Sequence, residues 1–206
     1  RVLFRSCSAH PDTPALSALS SILGGGRSAR FYEKFHDRLG LVYSIEVHSN
    51  QSETDEGAFT ISMDVDRAQR DKVRDMVLQE LRNLAEEDFT EDLKRVCKQT
   101  RVSRLRRRSS ASGVASEMGA DWFGSRNLNL SSEWQEAIER VTTEDLHRVC
   151  STWLSSPNVT EVSLDPPGSN AGDEERASAS AGTALSEHVL GNGMKVVIRE
   201  DHRLPL

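Results

Sequence analysis

Several things are scarce in this chain, and each scarcity removes a class of function. Three cysteines among 206 residues, Cys7, Cys97 and Cys150, are odd in number, far apart and without Cys-x-x-Cys spacing. A disulfide framework or a thiolate zinc site is therefore not indicated, and each cysteine sits in an apolar pattern, as buried thiols do. The redox compartment stays open. No apolar run approaches the roughly 20 residues of a membrane span, and the mean hydropathy is -0.53. Six histidines are present (His10, His36, His48, His147, His188 and His202), but no two are three or four residues apart. That removes the helical histidine pair of a zinc hydrolase. Aromatic residues make up 5% and the formal charge is -6, which argues against a general nucleic-acid binder.

Other catalytic signatures are missing as well. No Gly-x-Ser-x-Gly elbow exists, since Gly26-Arg27-Ser28-Ala29 does not fit it. Gly24, Gly25 and Gly26 lack the Lys-Ser/Thr ending of a phosphate loop and follow a helical pattern instead of a strand. Their expected role is to make a turn. Carboxylates are abundant, but no pair is set by spacing as an acid/base couple.

What is present begins at Ala15. Ala15, Leu16, Leu19, Ile22 and Leu23 recur at helical spacing, and the three glycines then end that helix. Arg27 to Leu39 reads as a second helix with Phe31 and Phe35 one turn apart. Leu41, Tyr43, Ile45 and Val47 alternate as on a half-buried strand, and Phe59, Ile61, Met63 and Val65 repeat the pattern across a polar loop, His48 to Gly57. Ahead of this unit, Val2 to Ala9 is predicted as a strand. Asp12 or Thr13 is expected to cap the first helix, with Pro14 near its first position.

Arg67 to Glu87 is an amphipathic helix with Val73, Met76, Val77, Leu81 and Leu84 on one face. Another opens at Thr90, capped by its Thr90-Glu91-Asp92-Leu93 start, and carries Leu93, Val96 and Cys97, then Lys98, Arg101, Arg104, Arg106, Arg107 and Arg108. That basic run reads first as a solvated helix face, because no aromatics are interleaved with the charges and the whole chain is acidic; a grip on phosphates or an acidic peptide is the alternative. Ser109 to Gly119 is rich in small residues and is expected to bend or interrupt the helix. Ser132 to Val141 is a short helix, and Thr143 is expected to cap the next, whose face is Leu146, Val149, Cys150, Trp153 and Leu154. Val159 to Leu164 is predicted as a closing strand, ended by Pro166-Pro167-Gly168. Ser169 to Thr183 holds no large apolar residue, a linker composition. Glu187 to Ile198 reads as two strands about a Gly191-Asn192-Gly193 turn.

The order helix, glycine stop, helix and strand pair, with its residues, resembles the C-terminal type of domain in the pitrilysin/insulinase family of zinc metallopeptidases. The residues that carry the likeness are Asp12 through Leu23, Leu23-Gly24-Gly25-Gly26-Arg27-Ser28-Ala29-Arg30, Gly40-Leu41-Val42-Tyr43-Ser44 and Gly57-Ala58-Phe59. Val141-Thr142-Thr143-Glu144-Asp145-Leu146 and the strand from Asn158 to Pro167 also fit. The likeness covers about Arg1 to Gly168. The hairpin near the C-terminus resembles the opening of the family's N-terminal type of domain.

The resemblance implies an α+β fold, a mixed, largely antiparallel sheet with long helices packed on one face. It implies residues 1–168 as the domain, 169–184 as a flexible linker and 185–206 as the truncated opening hairpin of a following N-terminal-type domain. Because the chain begins with Arg1 and not Met, it reads as a piece of a longer polypeptide. In the family, zinc is held by His-x-x-Glu-His on the other type of domain, and this sequence has no such motif; zinc is expected in the parent's catalytic domain and none in this piece. The family's C-terminal-type domain contributes an Arg and a Tyr seven residues apart, which face the catalytic half and hold the substrate. Tyr43 matches the Tyr. Counting back seven gives His36, and Arg38 stands at the wrong offset along the helix.

The resemblance thus implies a substrate-enclosing domain of a zinc metalloendopeptidase acting on peptides or unfolded proteins. Its partner is the catalytic N-terminal-type domain, in the same chain or in a partner subunit. The alternative is a catalytically inactive structural or docking subunit of the same family. Limited proteolysis is expected to cut first within Ser169 to Thr183 and to leave a stable core ending near Gly168. A first cut inside Arg67 to Leu105 would contradict that division.

Overall fold

The computed structural model describes residues 10–50, 57–154, 159–164, 185–189 and 195–199. The chain divides into two compact units, Arg1–Val162 and Ser163–Leu206. In the first, helix α1 (Thr13–Gly24) is followed by a π-helix (Tyr32–Arg38) and the strands β1 (Val42–Asn50) and β2 (Ala58–Val65). Helices α2 (Arg70–Asn83), α3 (Thr90–Arg107), α4 (Ala111–Ser125), α5 (Leu130–Glu139) and α6 (Thr143–Val149) complete it, α6 continuing as a π-turn over Cys150–Leu154.

α1 is the centre. Leu16, Leu19, Ile22 and Leu23 are buried, together with Ala15 and Ala18, while Ser17 and Ser21 on the other side are only half-buried. The wide apolar face requires several neighbours, and the helix packs against β1, α3, α5 and α6. β1 and β2 pair antiparallel, with Ile45 opposite Met63 and Val47 opposite Ile61. One face of this hairpin, with Ile45, Val47, Phe59 and Ile61, joins the core, while Glu46, His48, Ser62 and Asp64 stay exposed. The α+β class is as expected: an antiparallel sheet with helices on one face. The same core takes in Phe31 and Phe35, ring edge to face at 5.5 Å, and Val73, Val77, Leu81, Leu146 and Val149 from α2 and α6.

Gly24 lets α1 end against β1. A Cβ there would lie 2.4 Å from the Val47 amide nitrogen, a distance no side chain tolerates. Gly113 does the same for the turn from α3 into α4, where a Cβ would meet the Arg107 carbonyl oxygen at 1.8 Å.

Several local expectations are corrected. The helix expected over Arg27 to Leu39 begins only at Arg30 and is π over Tyr32–Arg38, where the Leu39 amide donates to the Lys34 carbonyl five residues back. Asp12 sits at the cap position of α1, but its side chain makes no cap bond. Its carboxylate is taken instead by Arg148 and by Trp153 Nε1 at 2.8 Å. Asp88, not Thr90, serves the start of α3, accepting from the Thr90 amide at 2.9 Å and hydroxyl at 2.7 Å. The cap of α6 is Thr142, one residue before the expected Thr143, in a reciprocal capping box with Asp145. Val159–Leu164 is described without strand structure. A strand needs a neighbour to satisfy its amides and carbonyls; the other strand predicted outside the hairpin, Val2 to Ala9, lies outside the described residues. The interruption of the long basic helix does occur, between Arg107 and Ala111. In the second unit β3 (Leu185–Val189) pairs antiparallel with β4 (Lys195–Arg199). The expected turn, Gly191 to Gly193, lies outside the described residues.

The buried Asp12 is a tie of long sequence separation, joining the start of α1 to α6. Burial alone would raise its pKa; the hydrogen bonds from Arg148 and Trp153 and the Arg148 charge override that and hold the carboxyl below the usual carboxylate range. A carboxylate depressed on folding stabilises above its unfolded pKa, and the contribution is lost as pH falls through the folded value. Asp12→Asn is expected to cost about 1–3 kcal/mol at neutral pH and to flatten the acid limb of the stability curve below about pH 4. Urea titrations of both proteins at pH 3 and pH 7 check this; an equal difference at the two pH values would contradict it.

Candidate functional site

The side chain with the most solvent-facing chemistry near the hairpin is Tyr43. Strict alternation would place it on the core face with Ile45 and Val47. Instead the register slips by one residue between Val42 and Ser44, a β-bulge, so Val42 turns inward and Tyr43 outward. The ring is 69% exposed, and its hydroxyl donates to Asp66 Oδ2 at 3.2 Å. Beside it the Ser44 hydroxyl donates to Asp64 Oδ2 at 2.6 Å, and His48 Nε2 lies 3.3 Å from Glu46 Oε2. No Lys or Arg occurs between Arg38 and Arg67, so the charged groups of the hairpin's exposed face are the carboxylates of Glu46 and Asp64, with Asp66 just after β2.

His36 lies on the π-helix that packs against β1. Its ring stacks on Tyr32 at 4.3 Å between centroids. Nδ1 is 2.7 Å from Asp37 Oδ1, and Nε2 is 3.4 Å from the Tyr32 hydroxyl. Tyr43 and His36 thus occupy adjacent elements, each with its own polar partners. Arg38 is turned to Glu33 at 2.5 Å, five residues back and so one π-turn away. It lines a recess of about 400 Å³ with Arg30, Lys34, Glu80 and Glu87, which neither Tyr43 nor His36 borders. Arg30 is committed there to structure: it bonds Asp92 at 2.6 Å and Glu87 at 3.2 Å and lies over Phe89. The supporting residues Tyr32, Asp37 and Asp66 carry no motif; only adjacency in chain for Asp37, and the position of Asp66 just after β2, point to them.

No group of three or more His, Cys, Asp and Glu that fits a metal ion exists among the described residues. His36 and His48 each meet one carboxylate, Asp37 and Glu46, without a converging third donor, so the donor set does not fit zinc. Thiol chemistry is no closer. Burial pushes the Cys150 thiol up to about 12 and raises that of Cys97, so neither supplies a thiolate nucleophile near neutral pH.

Fold and site together define an α+β domain that presents polar side chains from a hairpin. Residues 2–100 match the family model of the peptidase M16 inactive domain. It is similar to an uncharacterized zinc protease from Rickettsia felis, 23% identical over 138 residues, which cover 67% of this chain and 33% of the relative. The chain therefore spans about a third of that relative's length. Among solved structures it resembles the inactive peptidase domain of a Bordetella parapertussis protein, with 16% identity, 82% of this chain and 91% of that one covered, and a TM-score of 0.65. A protease from Helicobacter pylori matches at 22% identity over 71% of this chain and 36% of its own, TM-score 0.64. Among the described residues no helix is long and apolar enough to cross a membrane.

Because the Tyr43 ring stands outside the core, Tyr43→Phe is expected to change the stability of this chain by less than about 0.5 kcal/mol. Thermal melts compare the two; a loss above about 1.5 kcal/mol would put the hydroxyl in a buried network.

Proposed function

We propose that this domain is the substrate-enclosing, non-metal-binding half of a zinc-dependent metalloendopeptidase that acts on peptides or unfolded proteins. The catalytic half, an N-terminal-type domain in the same polypeptide or in a partner subunit, supplies the zinc and its activated water. Residues 169–184 serve as linker and residues 185–206 open a following N-terminal-type domain. The observation that carries the reading is the bulge that turns Tyr43 to solvent at the Gly40-Leu41-Val42-Tyr43 match. A phenol at that position donates a hydrogen bond to a carbonyl oxygen that gains charge during peptide attack. His36, seven residues earlier, supplies a second donor in place of the expected Arg.

One observation favours a second reading, a structural or docking subunit without catalytic work. His36 is already stacked on Tyr32 and bonded to Asp37, and it lacks the forked donors of a guanidinium. The two readings separate in the parent protein. Tyr43→Phe is expected to lower turnover about 10²–10³-fold, His36→Ala to lower it, and His36→Arg to hold or raise it. Wild-type turnover with unchanged melting in Tyr43→Phe would remove the substrate role and leave the docking reading.

A further inference from the structure

The strongest unexplained feature lies away from Tyr43, on the second half of α3. Between Asp92 and Glu117 the sequence holds eight Lys and Arg and no Asp or Glu, in a chain whose net charge is -6. The first half of α3 is ordinary. Leu93 and Val96 are buried, Lys94 pairs with Glu91 and Arg95 with Asp92. From Arg101 to Arg108 no residue is buried. Glu117 reaches across from α4 to Arg104 at 3.0 Å and Arg108 at 2.6 Å. Lys98, Arg101, Arg106 and Arg107 have no ion-pair partner among the described residues.

The helix C-terminus accounts for cations in the last turn. It does not account for Lys98 and Arg101, two turns earlier, nor for like charges set three and four residues apart, which repel. A solvated face also has no use for exposed aliphatic side chains, yet Leu105 is 63% exposed and Val102 37%. At 3.6 residues per turn Lys98, Val102 and Leu105 share one face, with Arg101 on one flank and Arg106 on the other. The face opposite Leu93 and Val96 therefore has a short apolar strip, Val102 and Leu105, flanked by Arg101 and Arg106, neither of which has an ion-pair partner among the described residues.

We propose that this face, Lys98 to Arg106, docks an acidic amphipathic helical segment of a protein partner. Charge complementarity selects the carboxylates, and Val102 with Leu105 selects an apolar row spaced three or four residues apart on the partner. A lipid surface fits less well, because cations flank the strip instead of lying opposite a wide apolar face. Nucleic acid has no counterpart for the aliphatic pair. A second copy of this chain offers the anionic hairpin face around Tyr43, but that contact is heterologous and would propagate instead of closing.

The full 206-residue chain is titrated into a labelled synthetic peptide with Glu and Asp on one helical face and Leu on the other, and read by fluorescence anisotropy. The expected result is saturable binding, at least tenfold weaker for a scrambled peptide of the same composition. Arg101→Glu/Arg106→Glu and, separately, Leu105→Ser should each weaken it at least fivefold, with circular dichroism melts unchanged because these residues are exposed. Equal binding of the scrambled peptide, or no effect of Leu105→Ser, overturns the proposal. So does equal or tighter binding of phosphatidylserine vesicles or a DNA duplex. Sedimentation should show a monomer; concentration-dependent assembly abolished by the double charge reversal would hand the face to a second copy and overturn it too.

Discussion

The burial of the wide apolar face of α1 is the constraint on which the rest depends. Leu19, Ile22 and Leu23 have no exposed surface, and Thr13, Ala15, Leu16 and Ala18 have almost none. Burying each large aliphatic side chain contributes about 1.5–3 kcal/mol, and truncating one to Ala costs about 2–5 kcal/mol. Set against a net domain stability of about 5–15 kcal/mol, one such change removes a large fraction of it. Helix α1 therefore needs walls on several sides, and the hairpin, α3, α5 and α6 are those walls. Gly24 brings β1 to the end of the helix at Val47, and Asp12 ties its start to Arg148 and Trp153. The position of Tyr43 follows from that anchoring, since β1 is fixed at Ile45 and Val47 before the bulge releases the next side chain outward.

Charge is sorted in space as sharply as apolar surface. The stretch between Arg38 and Arg67 contains no cation, and the stretch between Asp92 and Glu117 contains no anion. Within the core-facing parts of the fold, by contrast, charges are matched: Arg30 meets Asp92 and Glu87, and Arg104 meets Glu117. Matched pairs close the seams between helices, whereas the unmatched groups are exposed. Unpaired charge at the surface costs little in water and interacts over about 8–10 Å at physiological salt, so the hairpin face and α3 present opposite signs to approaching partners.

The sequence made most of the elements legible because apolar periodicity in α1, α2, α6 and the two strands agrees with burial. Leu16, Leu19, Val73, Val77, Leu81, Leu146 and Val149 sit where their spacing puts them. The errors have one physical source. Cap residues and bulges depend on partners distant in sequence or on a slip of one residue, neither of which leaves a periodic trace. Asp12 looks like a cap but bonds Arg148, 136 positions away. Tyr43 looks like a core residue by alternation, and a single extra residue at Val42/Ser44 reverses it. The π-helix is equally silent, since Phe31 and Phe35 satisfy α-helical spacing and are buried in either form.

The two candidate substrate-facing side chains differ in how much must be given up before they can act. The Tyr43 hydroxyl makes one exposed hydrogen bond to Asp66, and exchanging it for a substrate carbonyl costs at most about 1 kcal/mol. The ring need not leave any packed surface. His36 must keep its stack on Tyr32 and its bond to Asp37 at 2.7 Å while offering Nε2, which already lies 3.4 Å from the Tyr32 hydroxyl. Only Nε2 is therefore exchangeable, one donor against the forked pair that an Arg presents. In the role proposed for it, a domain that retains the tyrosine but narrows its neighbour to a single donor would hold a substrate carbonyl through Tyr43 and give up the bidentate, charged hold of an Arg beside it.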